Sequence, residues 1–383
     1  IRERGRNWGQ QIRSPDHSNL IQKWMLRFAV LAPILCLLLG NAFGFLDVLH
    51  ARGVLWGAEN GVGATSTFWA LVDLRGLNTL PAIPYDWVPD GRGTVPWWHA
   101  SRVLQDFTYA GEAVEVINEF PNFSFVLGDL HPHVLALPFV LMAIALALNA
   151  FISPTMSPNT PGRRITSNQV GRFVLVSGLI GSLAFLNTWD WPIYAALYAF
   201  VFLIRRSQSQ GWRLLRLLEF VGYGLGIAAI GYLLYLPFFL NFSSQAAGIL
   251  PSVIFFTRGI HFWVMFGPLL CLVGFYLVWG VRQSGAGEAF GKAALWVGGL
   301  VLLLILLNIL ISVVAVRLDG LADLFMANQG AAGVPLRNLL WEAFARRITQ
   351  PGTWLTLSGF VILSLSVIFS YITKPQFQLN HLH

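Results

Sequence analysis

A chain of 383 residues in which 55 % are hydrophobic and only 11 % charged, with a mean hydropathy of +0.61, is too apolar for a soluble domain and reads as an integral membrane protein. The net charge of +7 describes basic loops on one side of a bilayer and gives no argument for nucleic-acid binding. Both cysteines, Cys36 and Cys271, lie inside apolar runs, so neither a disulfide framework nor a cysteine metal site is indicated.

Taken in order, the chain opens on Ile1 with a basic cytoplasmic segment, 1–23, and no cleavable signal pattern precedes the first apolar run, 24–45. Residues 46–133 are rich in Gly, Pro and Trp and contain no run long enough to span. They are expected to form an ordered extracytoplasmic loop subdomain with short helices at the interface, where Trp and Tyr find both apolar and polar surroundings. Within it Trp97 and Trp98 are either part of an aromatic belt or a carbohydrate-stacking platform. Arg102 follows them, and its guanidinium is suited to a phosphate or to an ion pair with Asp106.

The loop ends on Gly128-Asp-Leu-His-Pro-His133, which places Asp129, His131 and His133 within five residues at the edge of the next apolar run. Ionisable groups persist at such a depth where they line a cavity or bind something. The plainer alternative is a helix cap by Asp129 with Pro132 in the first turn. Two histidines at i and i+2 point apart on a strand and share a metal poorly on a helix.

Seven further runs follow, at 134–151, 173–186, 191–204, 220–240, 262–281, 294–316 and 354–371, giving an all-α polytopic transmembrane bundle of about eight spans with a seven-helix region over 134–373 and a cytoplasmic tail, 374–383. Asn187-Thr-Trp-Asp190 is expected to be a tight turn, because one helix over 173–204 would reach about 48 Å, too long for one span. Residues 153–168 read as a flexible inner loop. With the N-terminus inside, most of the 25 Lys and Arg fall on inner segments, among them Arg205, Arg206, Arg213, Arg216 and Lys292. The exception is the outer segment 317–352, with Arg317, Arg337, Arg346 and Arg347. Gly40 with Gly44, and Gly222 with Gly226, have the spacing that lets helices pack closely.

This topology puts the Asp129 cluster, the 187–190 turn and Asn241-Phe-Ser-Ser-Gln245 on one outer face, where they suggest a shared site. No P-loop, dinucleotide fingerprint or haem-attachment motif is present.

Several stretches carry a resemblance. Pro96-Trp-Trp-His-Ala-Ser-Arg-Val103, Glu115-Val-Ile-Asn-Glu-Phe-Pro121 and the run from Phe123 through Asp129, His131 and His133 to Phe139 resemble the core signature of the uncharacterised YYY family of polytopic membrane proteins, domain of unknown function 2298. Leu186-Asn-Thr-Trp-Asp-Trp-Pro192 and Leu236-Pro-Phe-Phe-Leu-Asn-Phe-Ser-Ser-Gln245 are similar to two further family motifs. The motifs cover about 50–270, and the Tyr triplet that names the family is not in this chain, so the sequence is expected to be the middle of a longer protein. The family is similar in architecture to the C-type (GT-C) glycosyltransferases.

What the resemblance implies is a polyprenyl-phosphate sugar donor, an outer-face carboxylate as general base, and a divalent metal such as Mg or Mn. On that expectation Asp129 and Asp190 are catalytic, and Asp129, His131 and His133 are metal ligands. Arg102, Asn187, Gln245, Arg258, Trp97 and Trp98 bind substrate. The expected partners are membrane lipids and a lipid-linked sugar, and the expected location is a prokaryotic plasma membrane. The rival expectation is a non-catalytic scaffold subunit that packs against other membrane subunits.

Overall fold

The computed structural model describes residues 26–27, 29–31, 33–35, 37, 40–57, 65–80, 96–128, 130–152, 166–242 and 251–373. In chain order its elements are α1 (Phe43–Ala51), α2 (Thr67–Val72), α3 (Pro96–Ala100), β1 (Leu104–Phe107), β2 (Ala113–Val116), α4 (Pro121–Leu127), α5 (Pro132–Ile152), α6 (Ser167–Gly181) and α7 (Leu183–Leu186). There follow α8 (Asp190–Gln210), α9 (Leu215–Leu234), α10 (Leu236–Asn241), α11 (Gly259–Ser284), α12 (Gly287–Ala315), α13 (Leu321–Asn328), α14 (Leu336–Thr349) and α15 (Gly352–Thr373). The described residues between 26 and 37 are also helical.

Among the described residues six helices are long and apolar enough to cross a membrane, at 132–152, 167–186, 215–234, 259–284, 287–315 and 352–372. They coincide with six of the eight expected runs. The expected run 191–204 lies inside α8, whose ends carry Asp190, Arg205 and Arg206 and lower its apolar character. Among the described residues the fold is all-α apart from one small sheet: β1 and β2 form an antiparallel hairpin with Leu104 opposite Val116 and Asp106 opposite Val114.

The chain divides into two compact units. The first comprises 1–128, 254–274 and 329–354. Its core gathers Phe43, Leu46, Trp69, Val72, Leu74, Leu77, Val103, Leu104, Val264 and Met265. Ser66 starts α2 by accepting from Trp69 N–H at 3.2 Å, which satisfies one of the helix's open donors. The Trp69 indole N–H donates to Val54 O at 3.0 Å, so this large buried ring leaves no polar atom unpaired. Two glycine contacts set the packing of this unit. The first residues of α11 and α15 touch backbone to backbone, such that a Cβ on Gly259 would lie 2.6 Å from Gly352 Cα. Gly330 stands at φ +63°, and a Cβ there would lie 2.5 Å from Thr108 Cβ.

The second unit comprises 129–253, 275–328 and 355–383. Ala136, Ala143, Ala147 and Ala150 form the buried stripe of α5, narrow enough for α8 to seat Ala195 and Tyr198 in the same cluster. α6 and α9 cross where Gly181 meets Gly231, a Cβ on Gly181 falling 2.8 Å from Gly231 Cα. The expected Gly222 and Gly226 pair is not that crossing: Gly222 has open space around it and Gly226 faces the Phe173 ring. The predicted turn between α7 and α8 is present, with Asn187 extended at φ −151°.

Candidate functional site

In the first unit, charge concentrates where α2, β1 and α14 meet the segment leading into α11. Asp73 closes α2 in the left-handed conformation, φ +47°, which Asp adopts more readily than most residues. That turn aims its carboxylate at three donors. Arg258 lies 2.7 Å from Oδ2, while Oδ1 accepts from Asn78 at 3.1 Å and from Gln105 at 3.4 Å. The Arg258 guanidinium is also 2.9 Å from His261 Nε2. That nitrogen sits 3.1 Å from Val72 O and 3.2 Å from Asp73 O, so the tautomer with its proton on Nε2 donates to these carbonyls.

Asp106, on the neighbouring strand residue to Gln105, is pinned by backbone. Phe107 N–H donates to Oδ1 at 2.8 Å and Phe256 N–H to Oδ2 at 3.1 Å. Burial raises its pKa above the ordinary carboxylate value, against the two N–H donors and the charges of Arg346 and Arg258, which oppose the rise. The folded state therefore holds the proton more tightly than the unfolded chain. Stability from this group is greatest below the unfolded value of 3.8 and declines as pH rises through the folded value. The expected result is that the thermal stability of the purified protein, relative to an Asp106→Asn variant, falls with rising pH across that acid window and is flat above it. A difference that instead grows with pH there would contradict the direction.

Arg346 and Arg347 of the segment 317–352 are held by specific partners. Arg346 donates to Phe107 O at 2.7 Å and Thr108 O at 3.0 Å, and pairs with Glu342 at 2.9 Å. Arg347 donates to Phe255 O at 3.0 Å and lies 5.7 Å from the centre of the Phe256 ring. Burial works against the charge of Arg347, with Asp106 opposing that trend, and a guanidinium stays protonated in such surroundings. These are clasps on backbone carbonyls rather than loose loop charges.

The substrate-binding candidates of this unit divide. Arg102 does not pair with Asp106 among the described residues; its guanidinium lies flat over the Trp98 ring at 3.7 Å from the centre, and 5.6 Å from that of Phe123. One of its nitrogens donates to Ser101 Oγ at 2.6 Å. Arg258 is engaged by Asp73, as above. Trp97 belongs to α3, and its side chain is outside the described residues.

In the second unit the two histidines flank the start of α5. His131 precedes Pro132, and its carbonyl accepts from Val134 N–H at 2.9 Å and Leu135 N–H at 3.0 Å, the backbone pattern of a helix start with proline first. The His131 and His133 rings are 5.6 Å apart, edge to face. Asp129 and Gln245 lie outside the described residues. Among the described residues no three His, Cys, Asp or Glu side chains group as a metal site. The donors that are described are two imidazoles, a set that suits Mn²⁺ better than Mg²⁺, which prefers oxygen. Asn187 and Asp190 are brought together: the Asn187 amide donates to the Asp190 carboxylate at 3.0 Å. Asp190 stands first in α8, where a carboxylate complements the helix dipole.

Asp73 and Asp106 were not among the expected site residues. Each sits alone in a short loop-like or strand-like stretch, and their partners, Arg258 and Phe256, are far away in the chain; Asp106 and Phe256 are 150 positions apart. The one local sign was Arg258 itself, a lone cation at the edge of an apolar run, which calls for a carboxylate.

Membrane-spanning helices joined to a unit rich in arginine–carboxylate contacts define a polytopic helical membrane protein, whose apolar helices face lipid. Residues 5–376 match the model of the uncharacterized membrane protein family DUF2298. The chain belongs to that family, and the match reaches well beyond the motif-bearing stretch 50–270. No curated protein and no solved structure matches it.

Proposed function

We propose that this chain transfers a sugar from a polyprenyl-phosphate donor to an acceptor hydroxyl at the extracytoplasmic face of a prokaryotic plasma membrane. The observation that carries the reading is Arg102 stacked at 3.7 Å on Trp98. A sugar presents C–H faces that pack on an indole, and the departing phosphate takes charge-assisted hydrogen bonds from a guanidinium, so this pair offers both halves of a glycosyl phosphate a partner. Such a platform is also what an interfacial aromatic belt supplies, and the family resemblance favours the glycosyl reading.

In the reaction the acceptor O–H gives its proton to a carboxylate, its oxygen bonds to the anomeric carbon, and the bond from that carbon to the phosphate oxygen breaks with its electron pair leaving on phosphate. Asp129 is the proposed base and Asp190, oriented by Asn187, the second carboxylate. Within the first unit Trp97 and Trp98 are suited to a sugar face and Arg102 and Arg258 to a phosphate, and within the second Gln245 is suited to a sugar hydroxyl. His131, His133 and Asp129 would hold a divalent ion, which supplies further positive charge when bound. Transfer is assayed with a radiolabelled polyprenyl-phosphate sugar in reconstituted vesicles. Arg102→Gln is expected to lower kcat/KM by about 10- to 100-fold, the worth of one charge-assisted hydrogen bond, with Arg102→Lys retaining part of it. Unchanged kinetics in Arg102→Gln would refute its contact with the donor.

A second reading, a non-catalytic subunit of a larger membrane assembly, is favoured by one observation: only 11 % of the apolar stretch of α12 is buried, leaving a long face open to lipid or to a partner helix. A stoichiometric membrane partner that co-purifies, together with unchanged glycans in a deletion strain, would select it.

A further inference from the structure

The turn between α8 and α9, at the end opposite the 187–190 turn, gathers basic residues. Arg205, Arg206, Arg213 and Arg216 fall within twelve positions, and Glu219 is the only acidic residue between Asp190 and Glu288. That single carboxylate is shared: Arg206 Nε lies 3.1 Å from one oxygen, and Arg216 Nη1 is paired with the other. Arg216 is 6 % exposed. Its Nη2 donates to Gln210 at 3.1 Å, and its Nε has no acceptor among the described residues. Two guanidiniums thus meet at one carboxylate in a half-buried place, where charge interactions are stronger than in open water.

What surrounds this charge is suited to a lipid. Trp212, in the turn, stands edge to face with Trp296 of α12 at 5.9 Å, and the two rings remain 42 % and 41 % exposed. Arg213, next to Trp212, is exposed, and so is Lys292, one helical turn before Trp296 on α12. Leu214, Leu215 and Leu295 are open to the surroundings as well, at 71 %, 62 % and 78 %. Exposed cations, paired indoles and bare leucines gathered at one turn are the groups that suit the phosphate, glycerol and acyl parts of a phospholipid. The basic residues lie on the side that the positive-inside distribution turns to the cytoplasm.

We propose that the α8–α9 turn, with the facing start of α12, binds the phosphodiester headgroup of an anionic phospholipid. Arg213 and Lys292 meet the phosphate, the Trp212 and Trp296 pair takes the glycerol level, and the leucines take the chains. This site is separate from sugar transfer and stands whether or not that reading holds.

The test uses the full chain in dodecyl maltoside micelles, titrated with phosphatidylglycerol, phosphatidylcholine or inorganic phosphate while its melting temperature is followed. Phosphatidylglycerol is expected to raise the melting temperature and the other two to leave it in place. The double variant Arg213→Gln/Lys292→Gln should need about 25-fold more phosphatidylglycerol for half the shift, at about fivefold per basic residue. Arg213→Lys/Lys292→Arg should respond as the wild type does. Both positions are exposed, so the lipid-free melting temperature of each variant is expected to be unchanged and shows that it has folded. Equal stabilisation by phosphatidylcholine, reproduction of the shift by phosphate alone, no shift with phosphatidylglycerol, or a wild-type response from the Gln double variant would each overturn the proposal.

Discussion

Asp129→Asn is expected to abolish sugar transfer, by about 10²- to 10⁴-fold, the usual contribution of a general base, while the protein still inserts into the membrane and melts as the wild type does. The substitution keeps size and hydrogen-bonding capacity and removes only the capacity to take a proton. A residue that merely caps α5 would lose little by it, because Asn caps helices as well as Asp. The comparison with Asp190→Asn decides the assignment. Asp190 already accepts from Asn187 at 3.0 Å, and an Asn in its place still offers Asn187 a carbonyl acceptor. Its substitution should therefore cost less. Transfer retained in Asp129→Asn but lost in Asp190→Asn would reverse the roles, and retention in both would remove carboxylate base catalysis at these positions. The assay needs initial rates in vesicles with matched protein incorporation, so that insertion and chemistry are read separately.

Gly330→Val is expected to be the most disruptive single change in the first unit, costing about 3–5 kcal/mol of stability. Two penalties combine. At φ +63° an L side chain is strained, most of all a β-branched one. The new Cβ would also stand 2.5 Å from Thr108 Cβ, where backbone contacts leave no room: the adjacent Gln329 O accepts from Tyr109 N–H at 2.9 Å, and Gln329 Oε1 accepts from Ile254 N–H at 3.0 Å. The measurement is the melting temperature together with limited proteolysis of the purified protein. Combining Gly330→Ala with Thr108→Gly separates the two penalties. It removes the steric one and leaves the backbone one, so the pair should recover part, not all, of the loss in Gly330→Ala alone.

The spans were legible because an apolar run of spanning length has one dominant solution: a helix that satisfies its own backbone. The 187–190 turn was legible for the same reason, since two runs separated by four polar residues exceed one bilayer thickness. The hairpin 104–116 was not. Its strands are four residues each, too short for an alternating pattern to stand out, and its stability comes from Arg346 and the Gln329 segment rather than from its own sequence. The site divides in the same way. Asn187 and Asp190 are neighbours in the chain and were legible as a pair, whereas Arg102 was matched to a phosphate or to Asp106 and not to the Trp98 ring it covers. Asp73 with Arg258 and Asp106 with Phe256 are products of tertiary structure, and residue spacing carries no sign of them. Close helix crossings were mislocated because Gly222 and Gly226 have the right spacing but Gly181 and Gly231 have the neighbours.

The arginine clasps have a consequence for biosynthesis. Arg346 holds the carbonyl of Thr108 from 238 positions further along the chain, so when the hairpin leaves the ribosome its partner has not been made. At about 5–20 residues per second the interval is roughly 10–50 s. Throughout it the carbonyls of Phe107 and Thr108 lack their final contacts. The nascent hairpin is then the part of the chain most in need of a holding factor, and ribosomes that slow before residue 346 would lengthen that exposure. Translation rate, more than the final energy of the fold, would set how much of this protein reaches its native state.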